Sequence, residues 1–93
     1  MSRDPRFKFR LYVAGETQNS ARANANLTAF CAEHLPHRHE IEVVDVLQEP
    51  RRAMADSVFM TPTLIKLAPK PNRRLIGTLS QPQLLLETLG LET

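Results

Sequence analysis

Met60-Thr61-Pro62-Thr63-Leu64 places a Thr-Pro-Thr step directly before the apolar run Leu64-Ile65-Lys66-Leu67. A proline at the start of a strand has no N–H to donate, and it favours extended geometry in the residue before it. The cis isomer is also accessible there, because it costs only roughly 0.5–1 kcal/mol at an X-Pro bond. The stretch therefore predicts a bend at Thr61-Pro62 that leads into a strand over residues 63–67.

Three further strands are predicted on either side of this bend. Apolar residues at every second position predict a first strand with one buried face, and they are Phe7, Phe9, Leu11 and Val13. The β-branched run over residues 41–47 predicts a second strand, which a helix separates from the first and which is therefore expected to be parallel to it. Residues 73–77 are predicted to pair with residues 63–67 as a hairpin, since residues 68–72 have turn composition.

Three helices are predicted between and after these strands. Thr17 and its polar neighbours offer N-cap oxygens for a first helix that ends before Pro36. Its inward side is predicted to be Ala23, Leu27, Phe30, Cys31 and His34. Residues 51–58 have only moderate helix propensity. A last helix is predicted over residues 81–89, with Ser80 and Gln83 as a capping box and Gly90 at its end.

The predicted order, β-α-β-α-β-β-α, is an α/β arrangement that resembles the thioredoxin-like fold. In that fold a cis proline enters the third strand and faces the first strand-to-helix turn, where redox members carry Cys-x-x-Cys. The corresponding turn here spans residues 14–20 and contains no cysteine. The resemblance implies a thioredoxin-like frame from which the thiol chemistry has been removed.

Length and composition predict a single aliphatic domain over residues 1–93. Hydrophobic residues make up 42% and aromatic residues 5% of the chain, which are values for a core of Leu, Val and Ile. The net charge of +2 is too small to argue for nucleic-acid binding, and no apolar run approaches a membrane span. The single cysteine and the lack of a signal peptide predict a cytoplasmic location.

Candidate chemical groups are few. Cys31 falls on the apolar side of a helix interior, which favours a buried structural thiol over a monothiol nucleophile. His34, His37 and His39 crowd the end of that helix, either as solvated cap residues or, less in keeping with their neighbours, as metal ligands. Asp45 lies in an otherwise apolar strand, where a carboxylate is expected to meet a cap or an arginine.

A set of basic residues is predicted on the hairpin and its turn, with Arg22 on the first helix: Lys66, Lys70, Arg73 and Arg74. Two interpretations stay open. Charges on an edge hairpin discourage strand-to-strand aggregation. Paired arginines also recognise carboxylates well, which is typical of a docking surface.

Several sequence blocks together resemble one known family, the circadian clock protein KaiB. The blocks that carry the resemblance are Leu11-Tyr12-Val13-Ala14-Gly15, Asn19-Ser20, Arg22-Ala23, Val44-Asp45-Val46-Leu47, Thr61-Pro62-Thr63-Leu64 and Arg73-Arg74-Leu75-Ile76-Gly77. The resemblance extends from Leu11 to Leu91. It implies a non-enzymatic regulator, of circadian or stress-related timing, that binds a KaiC-type ring ATPase and with it a KaiA-type protein or a sensor histidine kinase.

The resemblance also implies a second packing of the C-terminal half and a resting homo-oligomer, either dimer or tetramer. Pro62, Pro69 and Pro71 lie in the half that would rearrange. The partner-binding positions that carry over are Arg22, Lys66 and Arg74, and we predict that Arg73 beside them also contacts the partner. Glu40 and Glu42 replace a small residue and a lysine of cyanobacterial members, which either removes the KaiC contact or specifies a ring of different charge.

Two alternatives to a fold-switching regulator remain open at this point. One is a stable thioredoxin-like adaptor or sensor domain of a signalling system. The other is a thiol oxidoreductase, which the lone Cys31 makes the weaker of the two. No cofactor is implied by any of the three.

Overall fold

The computed structural model describes residues 6–91 of the chain. Within them the predicted element order is confirmed: β1 (Phe7–Val13), α1 (Gln18–His34), β2 (His39–Asp45), α2 (Pro50–Ala55), β3 (Thr63–Ala68), β4 (Arg73–Ile76) and α3 (Pro82–Thr88). None of the helices in this part of the chain is both long and apolar enough to cross a membrane.

The strands form one four-stranded sheet in the order β2-β1-β3-β4. β1 and β2 are parallel, as predicted, and β3 is antiparallel to both β1 and β4. The carboxyl ends of β1, β2 and β4 therefore meet the amino end of β3 at the same end of the sheet. This end is defined by two cross-strand pairs, Val13 with Asp45 and Thr63 with Ile76.

Apolar residues fill the two faces of the sheet very unequally. On one face α1 and α3 cover a large core that includes Phe9, Leu11, Leu27, Leu64 and Leu85. On the other face α2 covers a small cluster of buried residues, which consists of Tyr12, Val44, Ala53 and Ile65. Burial of apolar area is the main source of stability, so α1 and α3 are attached to the sheet far more firmly than α2.

The first helix follows its sequence prediction closely. Thr17 is the N-cap, and its hydroxyl accepts the N–H of Ser20. All the predicted inward residues except His34 are buried, whereas His34 is partly exposed and lies against the Phe30 ring with the ring centroids 4.5 Å apart. The helix ends one residue before Leu35, which is fully buried.

The predicted bounds of β2 and one predicted cap were wrong, and α2 ends at Ala55 instead of residue 58. β2 begins and ends two residues earlier than predicted, because His39 and Glu40 pair with Phe7 and Lys8 of β1. The predicted capping box does not form: the N-cap of α3 is Gln81, without a side-chain cap, and the Ser80 hydroxyl accepts a hydrogen bond from Thr78 instead. Residues in loops often satisfy one another rather than a neighbouring helix end.

Three proline bonds are cis within residues 6–91. They are Thr61-Pro62, where a bend was predicted, and the two bonds of the hairpin turn, Ala68-Pro69 and Lys70-Pro71. The Pro62 carbonyl accepts the N–H of Gly77 at 2.9 Å, which links the start of β3 to the residue after β4.

Candidate partner-binding surface

The first strand-to-helix turn is closed by hydrogen bonds within the chain. Gly15 has a φ of +58°, a left-handed conformation that glycine adopts without steric cost. Its N–H donates to Asp45 Oδ1 at 3.0 Å, and the same oxygen accepts the Leu47 N–H at 2.9 Å. Asp45 therefore meets backbone donors and not the arginine that was one of its predicted partners. The Ala14 N–H donates to the hydroxyl of buried Ser20.

Around this turn lie four exposed apolar side chains that we call the apolar rim: Leu47, Phe59, Met60 and Ile76. Their relative exposures are 72%, 89%, 60% and 59%. Leu47 lies against the turn, since its Cδ1 is 3.4 Å from where a Cβ on Gly15 would stand. Ile76 is at the end of β4 opposite Thr63, and Phe59 and Met60 immediately precede the Thr61-Pro62 bend. The rim thus occupies the end of the sheet that carries the first strand-to-helix turn and the Thr61-Pro62 bend.

The sequence suggested that the basic residues of the hairpin form one surface, but they do not. β3 and β4 alternate, so that Arg73 pairs with Lys66 and Arg74 pairs with Ile65. Lys66 points to the face covered by α1 and α3, and Arg74 to the face covered by α2. The cluster is therefore divided between the two faces of the sheet.

Lys66 is buried, with a relative exposure of 4%, and is not offered to a partner in this packing. Its Nζ donates to the carbonyl of Leu89 at 3.3 Å and stands 5.8 Å from the centroid of the Phe7 ring. Burial lowers the pKa of Lys66, and the nearby Arg73 lowers it further. Lys66 thus caps the carboxyl end of α3, where a cation is favourable because the last carbonyls of a helix have no partner within it.

The three arginines predicted for partner binding are all exposed, but they differ in their surroundings. Arg22 lies in the second turn of α1, near the end of the sheet that carries the rim. Arg74 donates to the main-chain carbonyls of Asp56 and Ser57, just before Phe59. Arg73 donates only weakly, at 3.3 Å, to the carbonyl of Asn72.

The acidic residues of β2 are neutralised within the chain. Glu40 is 3.5 Å from Arg6 and 4.0 Å from Lys8. Glu42 accepts Arg10 Nε at 2.8 Å and Arg52 Nη2 at 2.8 Å, and these hydrogen bonds lower its pKa. The charge of Glu42 is therefore compensated inside this molecule, whatever the partner carries.

The candidate thiol and imidazoles do not assemble a reactive site. Cys31 is fully buried, and burial raises its pKa to about 12, as predicted for a structural cysteine. His39 Nδ1 is 2.7 Å from the carbonyl of Leu35 and His34 contacts Glu33, so each is engaged locally. Across residues 6–91 no three side chains of His, Cys, Asp or Glu are grouped as metal ligands.

The apolar rim was missed at the sequence level. Its only signal is the pair Phe59-Met60, two large apolar residues in a segment that has no helix or strand pattern. Leu47 and Ile76 were assigned to strands, where an apolar residue is expected to be buried. Their exposure follows from their position at strand ends, where α2 does not cover them.

Comparisons with known proteins define a family. The family model for the KaiB domain matches residues 10–91. The circadian clock protein KaiB3 of Synechocystis sp. is 40% identical over 87 residues, which are 94% of this chain and 83% of that protein. The circadian clock oscillator protein KaiB of Prochlorococcus marinus is 41% identical over 91 residues, which are 98% of this chain and 76% of that protein.

Solved structures similar to this one have the thioredoxin-like fold. The N-terminal domain of Synechococcus elongatus SasA superposes with a TM-score of 0.77 at 18% identity, covering 99% of this chain and 90% of that domain. Fasciola hepatica thioredoxin superposes with a TM-score of 0.73 at 21% identity, covering 97% of this chain and 84% of that protein. At such low identity the likeness shows the fold alone, and it confirms the predicted fold class.

Proposed function

The chain belongs to the KaiB family, and from this premise we propose that it is a regulatory protein that binds a KaiC-type ring ATPase. Binding modulates the phosphorylation of the ring or its output signal, in circadian or stress-related timing. The names of the related proteins support this proposal, since they describe clock proteins and not enzymes. A KaiA-type protein or a sensor histidine kinase would be a further partner on the ring.

The observation that carries the proposal is the apolar rim. Four large apolar side chains lie exposed at one end of a sheet, and contiguous exposed apolar surface marks binding sites in soluble proteins. Phe59 is the most exposed of the large apolar residues of the described chain. Aromatic and Met side chains are also enriched in protein interfaces. The rim therefore fits a protein partner better than a small ligand.

Charge near the rim favours an acidic partner. Arg22 on α1 and Arg74 on β4 are both exposed, and Arg74 holds the main chain two residues before the rim begins. Arginine recognises carboxylates through paired hydrogen bonds. We therefore assign partner contacts to the rim, to Arg22 and to Arg74, with Arg73 at the periphery and Lys66 excluded by its burial.

The proposal includes a change of packing in the C-terminal half. α2 has six residues and one buried side chain, and α3 has seven residues and no side-chain cap. Such short helices depend on tertiary contacts for their stability. The second packing would be the one adopted in a resting homo-oligomer, and the packing described above would be the one that binds the ring.

The experiment that tests the proposal measures the affinity of the chain for the KaiC-type ATPase of the same organism. Phe59→Ser with Met60→Ser should weaken binding at least thirtyfold, because truncated central residues of an interface cost about 2 kcal/mol or more. Met54→Ser is the matched control, since Met54 on α2 is an exposed apolar residue that is not part of the rim. Equal affinity of the rim variant and the control would contradict the proposed surface.

Arg22→Glu tests the charged part of the surface more cleanly than Arg74→Glu. Arg22 is exposed on a long helix, whereas Arg74 also supports the main chain of Asp56 and Ser57. We expect Arg22→Glu to keep the free energy of unfolding within about 0.5 kcal/mol of wild type while it weakens the ring complex. Unchanged affinity would show that Arg22 lies outside the interface.

Amide NMR tests the change of packing separately. Two sets of signals for residues after about position 50, with one set for β1 and α1, would support two packings of the C-terminal half. A single set for the whole chain, with normal ring binding, would instead favour a stable thioredoxin-like adaptor.

A further inference from the structure

The segment that contains α2 is attached to the sheet by few apolar contacts. α2 buries only Ala53, and Met54 on the same helix is 76% exposed. Its N-cap, Glu49, makes no side-chain cap hydrogen bond. A six-residue helix is not stable in isolation, so contacts outside the helix must hold it.

Several of these contacts involve charged side chains, and those on the sheet lie in one row across it. Glu42, Arg10, Ile65 and Arg74 are consecutive cross-strand neighbours on β2, β1, β3 and β4. The end of α2 lies over this row, because Asp56 accepts Arg10 Nη1 at 3.0 Å and its carbonyl accepts Arg74. The row thus provides a cation on each side of Asp56.

Two further contacts complete the attachment. The hydroxyl of Tyr12, a fully buried residue of β1, donates to Asp56 Oδ2 at 2.5 Å. Arg52 of α2 donates to Glu42 Oε2 at 2.8 Å and also approaches Glu49 at 3.5 Å. We call the five residues Arg10, Tyr12, Glu42, Arg52 and Asp56 the α2 latch.

The latch can open without disturbing the main core. The large apolar core lies on the opposite face, between the sheet and the two helices α1 and α3. Opening of α2 exposes only the small cluster around Tyr12 and Ile65. Segments with few buried apolar contacts open locally at a lower free energy than the global transition.

We propose that the α2 segment is a separately opening unit whose closed position is set by the ionic contacts of the α2 latch, and that ionic strength regulates how often it is closed. Phe59 and Met60 follow directly after this segment, so the latch also positions half of the apolar rim. That consequence for partner binding rests on the proposed function, whereas the opening itself does not.

Native-state amide exchange of the free protein tests the opening. The reporters are the N–H groups of Asp56 and Val58, which donate to the carbonyls of Arg52 and Ala53 at 3.0 and 2.8 Å. The internal reference is the β1 amides. Raising the ionic strength from about 0.01 M to about 1 M shortens the Debye length from about 30 Å to about 3 Å, and we expect exchange at the reporters to accelerate roughly fivefold while β1 is unchanged.

Charge-neutralising variants identify the contacts responsible. Glu42→Gln should accelerate exchange at the Asp56 and Val58 amides at low salt and reduce the salt effect, part of which the remaining pair of Arg10 and Asp56 retains. Glu40→Gln is the matched control, because Glu40 is on the same strand but pairs with Arg6 and Lys8 and not with α2. Arg52→Gln should reproduce the effect of Glu42→Gln, and the two together should add little to either alone.

Three results would overturn the inference. The first is exchange of the reporters only together with the β1 amides, which would mean that α2 opens only in global unfolding. The second is an exchange rate at the reporters that salt leaves unchanged, and the third is an effect of Glu40→Gln as large as that of Glu42→Gln. All three are observed in the absence of any ring, so they are distinct from a failure of the proposed function, which would appear as normal α2 exchange in a protein that binds no ring.

Discussion

Tyr12→Phe should destabilise the protein through one hydroxyl. The ring of Tyr12 is fully buried, and phenylalanine keeps its volume, so no cavity forms. The hydroxyl has one proton and lies closer to Asp56 Oδ2, at 2.5 Å, than to the carbonyl of Arg52, at 3.0 Å. A hydrogen bond to a charged group contributes about 1.5–3 kcal/mol. Arg10 still pairs with Asp56 in the variant, so we expect the lower part of this range, a decrease of about 1.5–2 kcal/mol in the free energy of unfolding.

Urea denaturation at neutral pH measures this decrease directly. In thermal unfolding, Tm should fall by about 6–16 °C, since 1 kcal/mol corresponds to about 4–8 °C for a domain of this size. The Tyr12 hydroxyl is the largest cause of the lowered pKa of Asp56. A lowered folded-state pKa contributes stability that is complete above the unfolded value of about 3.9 and is lost as the pH falls through the folded value. The difference between wild type and variant should therefore shrink in acid.

Two results would refute this reasoning. A loss below about 0.5 kcal/mol at neutral pH would mean that the hydroxyl is not hydrogen-bonded to a carboxylate. A loss of the same size in the Asp56→Asn background would mean that the two residues are not coupled, since contacting groups show interaction free energies of about 0.5–3 kcal/mol.

Three further predictions concern Cys31, Lys66 and Asp45. Cys31, with its pKa raised to about 12, should react with a maleimide in urea but not in the native protein; native labelling would show that the thiol is accessible. Lys66→Met should leave the free energy of unfolding within about 1 kcal/mol of wild type, because the lost hydrogen bond to the Leu89 carbonyl is offset by the removal of a buried charge. A larger decrease would show that the hydrogen bond contributes more than burial of the charge costs. Asp45→Ala should lower the free energy of unfolding, measured in urea, by about 1–3 kcal/mol, because it leaves the N–H of Gly15 without its acceptor. Asp45→Asn should lower it much less, because the amide oxygen can still accept; equal losses would contradict this.

The element order was predictable because several local signals agree. The alternation from Phe7 to Val13, the N-cap at Thr17 and the proline before Thr63 each specify one element, and each was confirmed. β2 was displaced by two residues because pairing with β1 overrides the weak strand propensity of His39 and Glu40. Local signals do not include such cross-strand pairing.

The site was less predictable than the fold. Both faces of β3 are covered by helices, so the face occupied by Lys66 is as buried as the face of Ile65. The nearness of Lys66 to Arg73 and Arg74 in the hairpin indicated a common surface, but the alternation of side chains places Arg74 on the opposite face of the sheet. The apolar rim depends on which strand ends α2 leaves uncovered, and that information appears only after the chain is folded.

The most direct test of the central claim is the footprint of a KaiC-type ring on this protein, read by amide hydrogen exchange and mass spectrometry. The account predicts protection in the three segments that contain Leu47, the pair Phe59-Met60, and Ile76, with the carboxyl end of α1 unchanged. Protection confined to α3 or to β2, or a ring that leaves exchange unchanged throughout the chain at saturating concentration, would contradict it.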